Sequence, residues 1–164
     1  MNMKILPGHG SGGKLMNDMI DTVIRATLGP ESIQLDDSAV LSIDCGRIVF
    51  TTDTFTVTPL FFPGGDIGSL AVNGTVNDLA VMGAVPKYLS CALVIEEGFD
   101  MEELVRVLSS MKRAADAAGV SIVTGDTKVV PRGNADRLFI NTSGIGLLKN
   151  GPARSSIVPG DSII

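Results

Sequence analysis

The stretch Asp66-Ile67-Gly68-Ser69-Leu70-Ala71-Val72-Asn73-Gly74-Thr75-Val76-Asn77-Asp78-Leu79-Ala80-Val81-Met82-Gly83 decides the fold. Gly64-Gly65 break the chain ahead of it, Asp66 is a favourable N-cap, and Gly83 with Pro86 stops it, so the spacing predicts a helix. At about 100° per residue its Leu, Val, Ala and Met side chains fall on every side, the pattern of a buried helix. Asn73, Asn77 and Asp78 nonetheless lie in its middle. A buried ionised carboxylate is costly without a partner, so Asp78 needs a cation, strong donors or a raised pKa. A helix tip meeting water, or an internal Asn–Asp hydrogen bond, would also satisfy it.

The rest of the chain narrows those options. Its 164 residues allow one sizeable core, and 45% apolar with 19% charged residues marks a folded protein. A net charge of -5 argues against a nucleic-acid partner, because that affinity depends on Lys and Arg neutralising phosphates. A nucleotide is still compatible, since a bound divalent metal supplies positive charge locally. No apolar run approaches the roughly 18 residues of a membrane helix, and the start lacks a signal-peptide pattern. Cys45 and Cys91 form no CxxC pair; a disulfide between them stays open, but a reduced, cytoplasmic setting is expected.

Toward the N-terminus, Pro7-Gly8-His9-Gly10-Ser11-Gly12-Gly13-Lys14 is a glycine-rich loop followed by a helix with Leu15, Met19, Ile20, Val23 and Ile24 at helical spacing. Glycines let backbone N–H groups approach an anion, a helix N-terminus adds its dipole, and Lys14 would reach phosphate oxygens. The loop is neither a Walker A motif nor GxGxxG, and a flexible arm is the plain alternative. His9 reads as a loop residue.

Asp36-Asp37 precede an alternating strand over residues 38–43, and a second strand over 47–52 ends at Asp53, so a hairpin is predicted. In a hairpin the start of one strand lies beside the end of the other, which brings Asp36, Asp37 and Asp53 together. Carboxylates so gathered repel one another unless a hard cation sits among them, although Asp also caps turns.

Beyond the central helix, residues 86–96 read as a buried strand and Phe99-Asp100 open an amphipathic helix ending at Gly119. Residues 120–123 run as a strand into Thr124-Gly125-Asp126-Thr127-Lys128. A Gly-Asp pair inside a strand suggests close approach by a ligand, with Asp126 and Lys128 on one face; a surface Asp–Lys pair is the alternative. Residues 138–148 form the last full strand. The expected division is a nucleotide-binding and dimerisation domain over 1–155, with 156–164 opening a second, truncated domain.

Five motifs occur in order: His9-Gly10-Ser11-Gly12-Gly13-Lys14, Asp36-Asp37-Ser38-Ala39-Val40, Thr51-Thr52-Asp53, Val76-Asn77-Asp78-Leu79-Ala80-Val81-Met82-Gly83 and Thr124-Gly125-Asp126-Thr127-Lys128-Val129. The series resembles the N-terminal domain of the aminoimidazole ribonucleotide synthetase superfamily, and within it the branch that matures [NiFe] hydrogenases. Selenophosphate synthetase and thiamine-monophosphate kinase are similar but fit less well. The resemblance implies an α/β domain whose four-stranded sheet pairs with a second subunit's into an eight-stranded barrel. It implies ATP and Mg²⁺ as cofactors, with ATP held by Gly10, Ser11, Gly12, Gly13, Lys14, Asp53, Thr54, Asn77, Gly125 and Asp126. The metal ligands implied are Asp36, Asp37, Asp53, Asp78 and Asp126, with Lys14 and Lys128 as catalytic candidates. The implied chemistry is ATP-dependent dehydration of a cysteine-borne thiocarboxamide to thiocyanate, served by a carbamoyltransferase and a cyanide-accepting complex. A non-catalytic docking platform is the rival class.

Overall fold

The computed structural model describes residues 13–25, 39–43, 46–148, 160 and 162. Two compact units divide the chain, Met1–Asp36 and Asp37–Ile164. In the first, helix α1 (Lys14–Met19) continues as a π-helix over Ile20–Arg25. Lys14 Nζ donates to Asp18 Oδ2 at 2.6 Å, an exposed pair one helical turn apart.

The second unit is built on one sheet. The predicted hairpin forms: β1 (Ala39–Ile43) runs antiparallel to β2 (Gly46–Phe55), from Ala39 opposite Phe50 to Ile43 opposite Gly46. Two short strands, β3 (Phe61–Phe62) and β4 (Gly65–Asp66), make a separate ladder before helix α2 (Ile67–Val81). Then follow β5 (Ala84–Glu96), helix α3 (Met101–Ala118), β6 (Ser121–Val130) and β7 (Leu138–Leu148). The sheet order is β1-β2-β7-β5-β6. The expected four-stranded sheet is present as the four long strands, and β1 extends it by a short fifth. Among the described strands only β5 and β6 pair in parallel, and α3 is the crossover that a parallel pair requires.

Local chemistry explains the helix ends. Asp66 Oδ1 accepts from Gly68 N and Ser69 N, and Ser69 Oγ accepts from Asp66 N, a capping box. Asp100 Oδ1 caps α3 by accepting from Glu102 N and Glu103 N, and Gly119 closes it in the left-handed conformation at φ 67°. Alternate residues of β7, from Leu138 to Leu148, are buried, and Leu138 and Ile140 meet Ile67, Ala71 and Val72 of α2 and Val107, Met111 and Ala115 of α3 in one core. Gly68 sits where α2 crosses α3; a Cβ there would lie 2.4 Å from Val107 O.

One surface differs from expectation, and a second is notable for its exposure. Helix α2 is not buried all round: Leu70 and Val81 are exposed, because no described element covers that side. Strand β6 is exposed along nearly its whole length, with Val123 at 60% and Val129 at 62%. Among the described residues no helix is long and apolar enough to cross a membrane.

Candidate functional site

The acidic residues are positioned by the seam between β2 and α2. Thr51, Asp53 and Phe55 alternate with Thr52 and Thr54, so they share the face that carries the helices. Along that face α2 passes with Gly74 over Asp53: a Cβ at Gly74 would lie 3.6 Å from Asp53 Oδ2 and 2.8 Å from the Phe55 ring. One turn further on, Asp78 Oδ2 accepts a hydrogen bond from Thr51 Oγ1 at 3.0 Å. Two residues of strand span roughly 6.6 Å and four of helix roughly 6 Å, so the two elements advance in step and set both carboxylates on one seam. Asp53 and Asp78 are each partly buried, and Asp53 Oδ1 accepts from Thr54 N at 2.9 Å.

Buried threonines support this seam. Thr75 Oγ1 and Thr142 Oγ1 are 2.5 Å apart, and Thr142 Oγ1 donates to Ala71 O at 3.1 Å. Thr142 is the residue opposite Asp53 on β7. Gly144, opposite Thr51, lets the helix approach: a Cβ there would meet Thr75 Cγ2 at 2.8 Å and Leu79 Cδ1 at 2.9 Å. No sequence pattern marks Thr75 or Thr142, and Thr51 stands out only as part of a motif. A signal was present in Thr51-Thr52-Asp53, where a hydroxyl stands two residues from the carboxylate, on the side an aliphatic residue would normally fill.

On the opposite, open face lies a polar cluster. Asn141 Nδ2 donates to Thr54 Oγ1 at 2.9 Å and to Asp53 O at 3.0 Å, and Ser143 Oγ donates to Thr52 Oγ1 at 2.9 Å. Thr54, Asn141, Ala92 and Asp126 form one row across β2, β7, β5 and β6. Three strand spacings, about 14 Å, therefore separate Asp126 from β2. Within one chain, Asp126 does not converge on Asp53 and Asp78. The strand order sets it apart, in the row of Thr54 rather than that of Asp53. Gly125 and Lys128 share that edge strand; a Cβ at Gly125 would lie 2.3 Å from Cys91 O, so strand packing accounts for this glycine. Lys128, like Asp126, is exposed.

Asn77 is exposed on α2, beside Asp78. Gly13 is the extended residue before α1. Gly10, Ser11, Gly12, Asp36, Asp37 and Cys45 lie outside the described residues. Among the described residues no group of three His, Cys, Asp or Glu side chains gathers as a metal cage. Cys91 is a free thiol, half-buried, and burial raises its pKa above the ordinary value of 9.0.

A Mg²⁺-nucleotide is compatible with the seam. Mg²⁺ is held through one or two carboxylates, with phosphate oxygens and waters completing its shell, so two aspartates suffice where a full protein cage is lacking.

Comparison with known proteins places the fold in a family. Residues 35–148 match the model of AIR synthase related protein, N-terminal domain. A carbamoyl dehydratase HypE from Rhizobium leguminosarum bv. viciae is 48% identical over 99% of this chain and 47% of its own length. A solved HypE–HypF complex superposes with TM-score 0.75 at 53% identity, covering 82% of this chain and 43% of the other. HypE in complex with ATP superposes with TM-score 0.63 at 51% identity, covering 88% and 43%. The chain thus spans about half the length of the relatives it matches. It is homologous to the N-terminal region of HypE carbamoyl dehydratases, and it belongs to the AIR synthase related family through that family's N-terminal domain.

Proposed function

We propose that this chain is the ATP-binding, N-terminal part of a hydrogenase-maturation carbamoyl dehydratase. The observation that carries the reading is the β2–α2 seam, which draws Asp53 and Asp78 from distant parts of the sequence onto one line. The proposed reaction joins R–S–C(=O)NH₂ and ATP to give R–S–C≡N, ADP and inorganic phosphate. The amide oxygen takes the γ-phosphoryl group and leaves as phosphate, while the nitrogen loses both protons.

In this reading Asp53 and Asp78 hold Mg²⁺, which supplies charge neutralisation at the transferring phosphoryl group. Asp36 and Asp37 are the further acidic ligands of this reading, and Gly10, Ser11, Gly12, Gly13, Lys14, Thr54 and Asn77 its further nucleotide-binding residues. Gly125, Asp126 and Lys128 act from the edge strand of a second subunit. Lys128 is the proton carrier at the amide nitrogen. An exposed β6 with Ile122, Val123 and Val129 favours such pairing, since an uncovered apolar edge invites another strand.

The assembled partners are a second copy of the chain, a carbamoyltransferase of the HypF kind, and the HypC–HypD complex as cyanide acceptor. The solved HypE–HypF complex supports the second of these. The domain over 1–155 would bind nucleotide and dimerise, with 156–164 opening the next.

The test is mass spectrometry of the full-length protein after carbamoylation by HypF. Addition of Mg-ATP should remove one water from the modified cysteine and release phosphate in equal amount. Phosphate release without that mass change would contradict the assignment.

A further inference from the structure

Thr51 occupies a position where the β2 pattern calls for an aliphatic side chain. It stands between Val49 and Asp53 on the helix-facing side and is 5% exposed. A valine there would have nearly the same shape and no hydroxyl to desolvate, so packing alone does not account for threonine. Its hydroxyl donates to Asp78 Oδ2 at 3.0 Å, across 27 residues of sequence. Branching at Cβ restricts χ1, so the hydroxyl is aimed rather than free to rotate away. Gly144, directly opposite on β7, leaves room for the turn of α2 that carries Asp78 to press against this point.

We propose that Thr51 is a positioning residue whose hydroxyl fixes the orientation of the Asp78 carboxylate toward a Mg²⁺-triphosphate. The inference rests on the proposed metal role of Asp78. A hydrogen bond to an ionised carboxylate is strong and directional, and it removes rotation about the terminal torsion, which is otherwise broad. The benefit is a pre-set ligand direction. Loss of such an outer partner typically lowers metal affinity by about 10–100-fold.

The experiment titrates Mg²⁺ into the purified protein with a fluorescent ATP analogue and reads the Mg²⁺ midpoint of nucleotide binding. Thr51→Val should raise that midpoint by about 10-fold or more, while Thr51→Ser, which keeps the hydroxyl, should stay near the parent value. Thr75→Val removes a different buried hydroxyl of the same seam. It should lower the melting temperature without moving the midpoint. An unchanged midpoint in Thr51→Val, a Thr51→Ser as poor as Thr51→Val, or an equal shift in Thr75→Val would each overturn the proposal. Should Thr51→Val not fold, Thr51→Ala against Thr51→Ser makes the same comparison. Asp78→Asn separates the two levels. If it binds like the parent, the metal role of Asp78 fails and this inference fails with it. If it loses Mg²⁺-dependent binding while Thr51→Val does not, only the positioning role fails.

Discussion

Gly74 stands over Asp53, so close that a single added Cβ would sit 3.6 Å from Asp53 Oδ2 and 2.8 Å from the ring of Phe55. The helix reaches the strand here because this position has no side chain. That contact sets the distance between α2 and the carboxylate.

Gly74→Ala sets two effects against each other. Alanine gains about 1 kcal/mol of helix propensity, whereas overpacking a filled core costs about 1–3 kcal/mol. Phe55 is buried and the contact is well inside van der Waals distance, so overpacking should win. A net loss of about 1 kcal/mol corresponds to a melting temperature roughly 3 °C lower. Calorimetry checks the sign; a rise would show that the Phe55 ring yields freely.

Much of this arrangement was legible in the sequence. The caps Asp66 and Asp100, the left-handed stop at Gly119 and the alternation of β7 are local signals, and each element forms where its signal lies. Asp78 was marked by its chemistry, since a carboxylate in apolar surroundings requires a partner, and Asp53 by its place at the end of a hairpin strand. The hydrogen bond from Thr51 to Asp78 was not legible, because it joins residues that only packing brings together. The separation of Asp126 from Asp53 within one chain was not legible for a related reason. Alternation tells which face of a strand a residue occupies, but strand order is a non-local property, and here β7 and β5 intervene between β2 and β6.

Cys91 gives a pH signature of the core between β5 and α3. Its thiol lies 3.9 Å from Met111 Sδ and lines a cleft of about 340 Å³ with Met111, Ala115 and Ile122. Burial favours the neutral thiol, so the folded chain holds this proton above pH 9.0, where the unfolded chain releases it. The folded state binds more protons there, and stability falls as pH rises above 9 and on through the folded pKa. Urea midpoints measured from pH 7 to pH 10 should decline, and Cys91→Ala should flatten that decline. Alkylation by iodoacetamide at neutral pH should be slower than for a free cysteine peptide.

The edge strand offers a test of assembly. Val123→Lys places a charge on the exposed face of β6, a standard block to strand pairing. Sedimentation should show the parent chain dimerising and the variant shifted toward monomer. Mixing Asp53→Asn with Asp126→Asn then asks where Asp126 acts. If it serves the second subunit, mixed dimers regain one intact nucleotide site that neither variant has alone. Absence of any regained binding would confine Asp126 to its own chain or remove it from the site.

The central claim is that Asp53 and Asp78 together hold the metal of a bound nucleotide, and calorimetric titration of Mg-ATP tests it most directly. Asp53→Asn and Asp78→Asn should each weaken binding by about 10-fold or more. Asp116→Asn removes one negative charge from an exposed pair with Lys112 and should leave the affinity unchanged. Equal affinities across all three variants would show that the seam between β2 and α2 is not where the nucleotide's metal binds.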